Sequence, residues 1–220
     1  MPDNYTLQMR PKAKSDAMVA GDCYRFTILT ESLIRMEYQP EGRFTDAATQ
    51  TVICRDFPVP AFRVIEKKDK LEIVTDKLHL YYDKKPFSPE GLSVHLSGSF
   101  HVYGSSWNYG DKVRDLKGTA RTLDNVNGKT ELGSGLMSRD GFAVLDDSGS
   151  ALITDEQWIE PRNCECVDLY FFGYGHNYLD CLRDFYRLSG PTPLLPRSVA
   201  SKGMLSSWAA SAPRAFAMAG

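Results

Sequence analysis

Tyr24-Arg25-Phe26-Thr27-Ile28-Leu29-Thr30 runs through Glu31-Ser32 into Leu33-Ile34-Arg35-Met36-Glu37-Tyr38, and the alternation in this stretch decides the fold class. Successive side chains of a strand point to opposite faces, so Tyr24, Phe26 and Ile28 share one face of a first strand, and Ile34, Met36 and Tyr38 one face of a second. Thr30-Glu31-Ser32 can turn between them, which predicts a hairpin. Leu71, Ile73 and Thr75 repeat the pattern, Asp76-Lys77 connects, and Leu78, Leu80 and Tyr82 carry a return strand. Farther on, Gly141 to Leu145 leads into the turn chemistry of Asp147-Ser148-Gly149, the chain returns through Ala151 to Thr154, and Val167 to Phe172 is another apolar, aromatic-rich run.

From Gly21 to Pro196 this period-two signal dominates, and many short antiparallel strands predict an all-β chain built as a sandwich or barrel. Pro58 and Pro60 flank Val59 and remove ladder donors, so that stretch is expected to be a connection or an edge. One helix stands out. Tyr178, Leu179, Leu182, Phe185 and Tyr186 fall on a single apolar stripe, Asn177 can cap it, Asp180 suits its first turn, and Gly190-Pro191 stops it. Residues 190–197 are then a Pro-rich linker, residues 1–20 an amino-terminal extension, and residues 198–220 an Ala/Ser-rich tail with no secure pattern.

The 220 residues, 42% hydrophobic and 25% charged, suit one substantial core. A formal net charge of -2, from 26 basic and 28 acidic residues, supplies no phosphate-neutralising excess, so neither nucleic acid nor an anionic membrane is an expected partner. Met1 to Arg10 lacks the apolar segment of a signal peptide and no run of about 18 apolar residues occurs, which reads as a cytoplasmic chain. The five scattered cysteines (Cys23, Cys54, Cys164, Cys166, Cys181) read as reduced and structural.

Several short motifs invite chemistry and do not sustain it. Gly173-Tyr174-Gly175 precedes a helix as a phosphate-binding turn would, but Tyr178 stands where a third glycine belongs and no βαβ unit follows. Asp146 and Asp147 are neighbours on a strand and point apart, whereas a glycosidase pair must converge about 5 Å apart, so they are expected to shape a turn. Cys164 and Cys166 lack the second pair a zinc site needs, His79, His95, His101 and His176 show no ligand spacing, and no serine sits in a nucleophile elbow. No catalytic residue, metal or cofactor is therefore assigned.

Three blocks carry a resemblance. Gly118-Thr119-Ala120-Arg121-Thr122-Leu123-Asp124 is followed by Ser138-Arg139-Asp140-Gly141-Phe142-Ala143-Val144-Leu145-Asp146-Asp147-Ser148. The third block is Asp168-Leu169-Tyr170-Phe171-Phe172-Gly173-Tyr174-Gly175, with Leu182-Arg183-Asp184-Phe185-Tyr186 and Gly190-Pro191-Thr192-Pro193-Leu194-Leu195-Pro196-Arg197. In this order they resemble the amino-terminal region of family 31 glycoside hydrolases, over essentially Gly21 to Arg197.

The resemblance implies a galactose-mutarotase-like antiparallel sandwich over residues 21–189, ending in one helix and packed in a whole enzyme against a (β/α)8 barrel that acts on α-linked glucosides or xylosides. Both catalytic aspartates of such enzymes lie on the barrel, so none transfers to this sequence. A barrel takes about 250 residues, more than follow Arg197. Where the family continues into an aromatic-rich barrel strand, this chain has Ser198-Val199-Ala200-Ser201-Lys202-Gly203, which implies a truncated or frame-shifted end, checkable by resequencing the gene.

The resemblance also places a loop around Arg121 to Gly128 over the barrel mouth. Arg121 and Asp124 would then meet sugar hydroxyls or hold the loop as an internal pair, with Trp107 and Tyr109 as candidates for stacking on a ring. The implied function is a non-catalytic assembly module of an α-glucosidase-type enzyme, inactive alone. Its partners would be the catalytic barrel, an α-linked oligosaccharide and, through exposed barrel-facing surface, other copies of itself. The alternatives are a freestanding carbohydrate-binding module, which needs an exposed aromatic platform, and a mutarotase-like epimerase, which needs an acid and a base converging on an anomeric carbon.

Overall fold

The structure, a computed structural model, describes residues 7–97, 105–120, 125–162 and 165–191. Strands β1 (Met18–Ala20), β2 (Tyr24–Thr30) and β3 (Leu33–Tyr38) are followed by the short β4 (Ala48–Thr49). Next come β5 (Arg63–Glu66), β6 (Leu71–Val74), β7 (Leu78–Tyr82), β8 (Leu92–Leu96) and β9 (Ser106–Asn108). Then β10 (Ala143–Asp146), β11 (Leu152–Ile153), β12 (Ile159–Glu160) and β13 (Val167–Phe172) lead to helix α1 (Tyr178–Ser189).

The strands form two five-stranded sheets, ordered β1-β2-β3-β13-β10 and β5-β6-β7-β8-β9, and a small third sheet, β12-β11-β4. Their pairings are antiparallel, and both predicted hairpins form. Phe26 lies opposite Met36 and Ile28 opposite Ile34, with an irregularity between Ile28 and Thr30, while Leu71 faces Tyr82 and Ile73 faces Leu80.

The inward residues of the two large sheets meet in one core: Phe26, Ile28, Ile34, Met36 and Phe171 against Leu71, Ile73, Leu80, Val94 and Trp107. This is an antiparallel β-sandwich. As expected, residues 58–60 between the proline pair lie outside any strand.

The first sheet is covered on its other face as well. Leu29, Leu33, Leu145, Tyr170 and Phe172 pack under Cys181, Phe185 and Leu188 of α1, joined by Ala13, Val52 and Phe57. Alternation in β2 and β3 suggests one buried face, yet all but the last residue of each strand is buried.

Three further expectations are corrected. The helix turns Cys181, Phe185 and Leu188 inward, at i, i+4 and i+7, so Leu179, read into the buried stripe, is instead 80% exposed, and Tyr186 is also exposed. Burial drives the Cys181 thiol up to about 12, which keeps it protonated and inert. Asn177 occupies the N-cap position without capping through its side chain, which donates to the Asp180 carboxylate instead. The run after Gly149 does not pair back onto β10: β11 joins β4 and β12, while β10 pairs with β13.

The ordered fold also starts before Gly21. Ala13 and Ala17 are buried, and β1 pairs with β2. At the other end Gly190 takes φ of 88°, a left-handed angle that favours glycine, and a Cβ there would lie 2.5 Å from Ile53 Cδ1. The linker beyond Pro191 and the tail fall outside the described residues.

Candidate functional site

The segment between β9 and β10 carries the loop singled out in the sequence. Its two arms run antiparallel, with Leu116 N–H donating to Met137 O at 2.8 Å, Gly118 N–H to Gly133 O at 2.8 Å and Gly133 N–H to Thr119 O at 3.2 Å. Such close approach explains a glycine: a Cβ on Gly118 would sit 2.5 Å from the Ser134 carbonyl oxygen. At the base, Arg114 Nε donates to the buried Asp140 at 3.2 Å, and Asp115 accepts from the Gly135 N–H. Leu116, Val126 and Leu132 are exposed along this arm.

Arg121 and Asp124 lie outside the described residues. Trp107 is corrected as a stacking candidate, because its ring is 2% exposed, packs 5.5 Å from Phe171, and donates from Nε1 to Asp111 O at 3.3 Å. Tyr109 is half-buried against Phe87 and Trp107, and burial raises its phenol pKa. Among the described residues the most exposed aromatic is Trp158, 73% exposed beside Ile159, on a turn closed by Thr154 N–H donating to Trp158 O at 2.9 Å.

The two adjacent aspartates act separately, as a turn requires. Asp146 Oδ1 accepts from the Ser148 N–H at 2.9 Å, and Asp147 Oδ2 accepts from Thr49 Oγ1 at 2.8 Å. Asp147 is fully buried, which raises its pKa, with the neighbouring Asp168 adding to the effect.

A buried ionic cluster under the small sheet escaped the sequence reading. Arg25 sits directly opposite Glu37 and holds it at 2.7 and 2.9 Å. Arg35 grips Asp168 with Nε at 2.8 Å and Nη2 at 2.7 Å, and also reaches Glu37 at 3.0 Å. Arg162 adds both terminal nitrogens to Asp168 Oδ2, at 3.1 and 3.0 Å. Burial would raise the Asp168 pKa, but Arg35, helped by Arg55 and Arg162, overrides it and holds this carboxyl well below the usual range. The available signal was the presence of charges inside strands whose apolar partners alternate with them.

A cavity of about 200 Å³ opens beside this cluster, between Phe44, Leu152, Val167 and Arg162. Elsewhere, in the cleft along α1, Asp184 accepts from Tyr174 OH at 2.6 Å and Asp180 pairs with Arg183 at 2.5 Å. Among the described residues no group of three or more His, Cys, Asp or Glu is arranged to hold a metal, and no helix is long and apolar enough to cross a membrane.

No family model matches the chain, and no curated protein matches it at a significant level. Solved structures do. The chain is similar to a GH31 dextranase of Flavobacterium johnsoniae complexed with glucose, at 13% identity and a TM-score of 0.44, over 80% of this chain and 27% of the enzyme. A GH31 alpha-xylosidase from a soil metagenome, complexed with xylose, matches at 13% identity and a TM-score of 0.47, over 83% and 35%. The cycloalternan-forming enzyme of Listeria monocytogenes, in complex with a pentasaccharide substrate, matches at 12% identity and a TM-score of 0.42, over 81% and 21%. The chain thus spans between about a fifth and a third of these enzymes' length. Its fold assignment rests on the strand pairing above.

Proposed function

We propose that this chain is a non-catalytic β-sandwich module of an α-glucosidase-type glycoside hydrolase, which braces a (β/α)8 barrel and, through the arm between residues 114 and 140, shapes its substrate entrance. The observation that carries this reading is the double-sided helix. With Cys181, Phe185 and Leu188 committed to the sandwich, α1 still presents Leu179 and Tyr186, seven residues apart on one face, to solvent. Large apolar side chains held on a rigid, already docked helix suit a further packing partner. The exposed Leu116, Val126 and Leu132 on the arm support the same reading, and the sequence blocks resembling the family include both α1 and the arm.

Activity measured with a chromogenic α-glucoside, on the purified chain alone and mixed with a separately expressed family barrel, tests it. Turnover above that of the barrel alone is expected only in the mixture, and should be lost with Leu179→Ser combined with Tyr186→Ser. Turnover by the chain alone would overturn the proposal.

Trp158 favours a second reading, a freestanding carbohydrate-binding module. Its exposed ring is the platform that reading requires. Retardation on an α-glucan affinity gel that disappears in Trp158→Ala would support it.

A further inference from the structure

We propose that the cleft along α1 is a binding site for a neutral sugar, held by the free oxygen of Asp184 and by Arg183 against a wall formed by Pro58, Val59 and Pro60. The site stands on the sandwich alone: it needs neither a barrel partner nor Trp158, which does not line this cleft.

The cleft has a volume of about 680 Å³, within the roughly 300–1,000 Å³ of small-molecule sites. Its charged lining is balanced, with Glu31, Asp180 and Asp184 against Lys77, Arg183 and Arg187. Along α1 the signs alternate at i, i+3, i+4 and i+7, and neighbouring charges answer one another: Asp180 takes Arg183 Nη2 at 2.5 Å, and Asp184 lies 3.9 Å from Arg183 Nε. An anion or a cation entering here meets repulsion as well as attraction, so the cleft offers hydrogen bonding rather than net charge. Donors and acceptors set side by side suit hydroxyls, each of which both donates and accepts.

The anchor is built by three residues that line the cleft. Tyr174 OH donates to Asp184 Oδ2 at 2.6 Å and lies 3.1 Å from Thr30 Oγ1. Burial raises the Tyr174 pKa and the bond to Asp184 adds to it, so the phenol stays the donor and the carboxylate the acceptor. One oxygen of Asp184 is thereby fixed. The other, Oδ1, makes no hydrogen bond among the described residues and is not sealed from solvent, its side chain being 15% exposed. Arg183, 70% exposed, sets guanidinium N–H groups beside it, and together they can take two neighbouring hydroxyls through charge-assisted hydrogen bonds. Pro58 and Val59 are exposed and carry no polar side-chain group, so the C–H face of a sugar ring can lie on them.

The experiment follows the backbone amides of Gly173 and Tyr174, and separately that of Trp158, while the chain is titrated with maltotriose, with glycine and with sodium acetate at constant pH and ionic strength. Saturable shifts at Gly173 and Tyr174 with maltotriose, in the millimolar range of a solvent-open polar site, and none with glycine or acetate, are the expected result. Asp184→Asn still accepts from Tyr174 but turns the free acceptor into a donor, and should weaken the affinity about tenfold. Val59→Arg, at an exposed position on the wall, should abolish the shifts while leaving the urea midpoint unchanged. The Trp158 amide reports the other candidate sugar site by itself, so either site can fail without the other. No shift with maltotriose, a response to glycine or acetate in its place, shifts confined to Trp158, or an affinity unchanged in either variant would overturn the proposal.

Discussion

Asp168 shows how much one side chain can hold. It balances Arg35 and Arg162 inside the protein, so removing it takes the paired carboxylate from buried Arg162 and leaves Arg35 with Glu37 alone. Asp168→Ala is expected to cost about 3–5 kcal/mol in urea unfolding at neutral pH, far more than any isolated surface pair would. Because its folded pKa is depressed, its stabilisation is present above the unfolded value of about 3.9 and is lost as pH falls below it. Asp147 behaves oppositely. Its folded pKa is raised, so the folded chain binds that proton more tightly and stability declines as pH rises through the interval above the ordinary carboxylate value. Asp147→Asn can still accept from Thr49, and it should match or exceed the parent's stability at pH 7 while losing that part of the pH dependence. Both roles were hidden in the sequence, because Arg25, Arg35 and Glu37 occupy the positions that alternation assigns to solvent, and only the covering layer makes them interior.

At the level of elements, α1 and the arm make separable predictions. Phe185→Ala should destabilise the fold by about 3–5 kcal/mol, whereas Leu179→Ser should change stability by no more than about 0.5 kcal/mol in the same urea titration. If Leu179 is a contact between partners, sedimentation velocity will show less self-association in Leu179→Ser. Gly118→Ala forces a Cβ onto the Ser134 carbonyl, so limited proteolysis should cut between residues 118 and 135 faster than in the parent. The existence and limits of the helix were legible from its spacing and from Gly190-Pro191. Its orientation was not, because Leu179, Leu182 and Tyr186 make one stripe and Cys181, Phe185 and Leu188 another, and choosing between them needs the surface of Leu33, Tyr170 and Phe172 on which the helix lies.

Over the whole molecule, sequence reading recovered the all-β class and both local hairpins, since each joins neighbours through a short turn. Long-range closure was not legible from periodicity: that β10 avoids β11 and pairs with β13, and that β13 then lies against β3, depends on which edges remain open once hairpins form. The β3–β13 ladder, joining Leu33–Tyr38 to Val167–Phe172, also carries a timetable. On a ribosome adding about 5–20 residues per second, the roughly 130 residues between Arg35 and Asp168 take on the order of 7–26 s to appear. For that interval β2 and β3 exist as a hairpin with an open hydrogen-bonding edge and with Arg35 lacking its main carboxylate, the kind of edge that invites pairing with the wrong strand. The nascent chain is thus most exposed to aggregation late in its synthesis, until the segment around Asp168 arrives to close the sheet and neutralise its interior together.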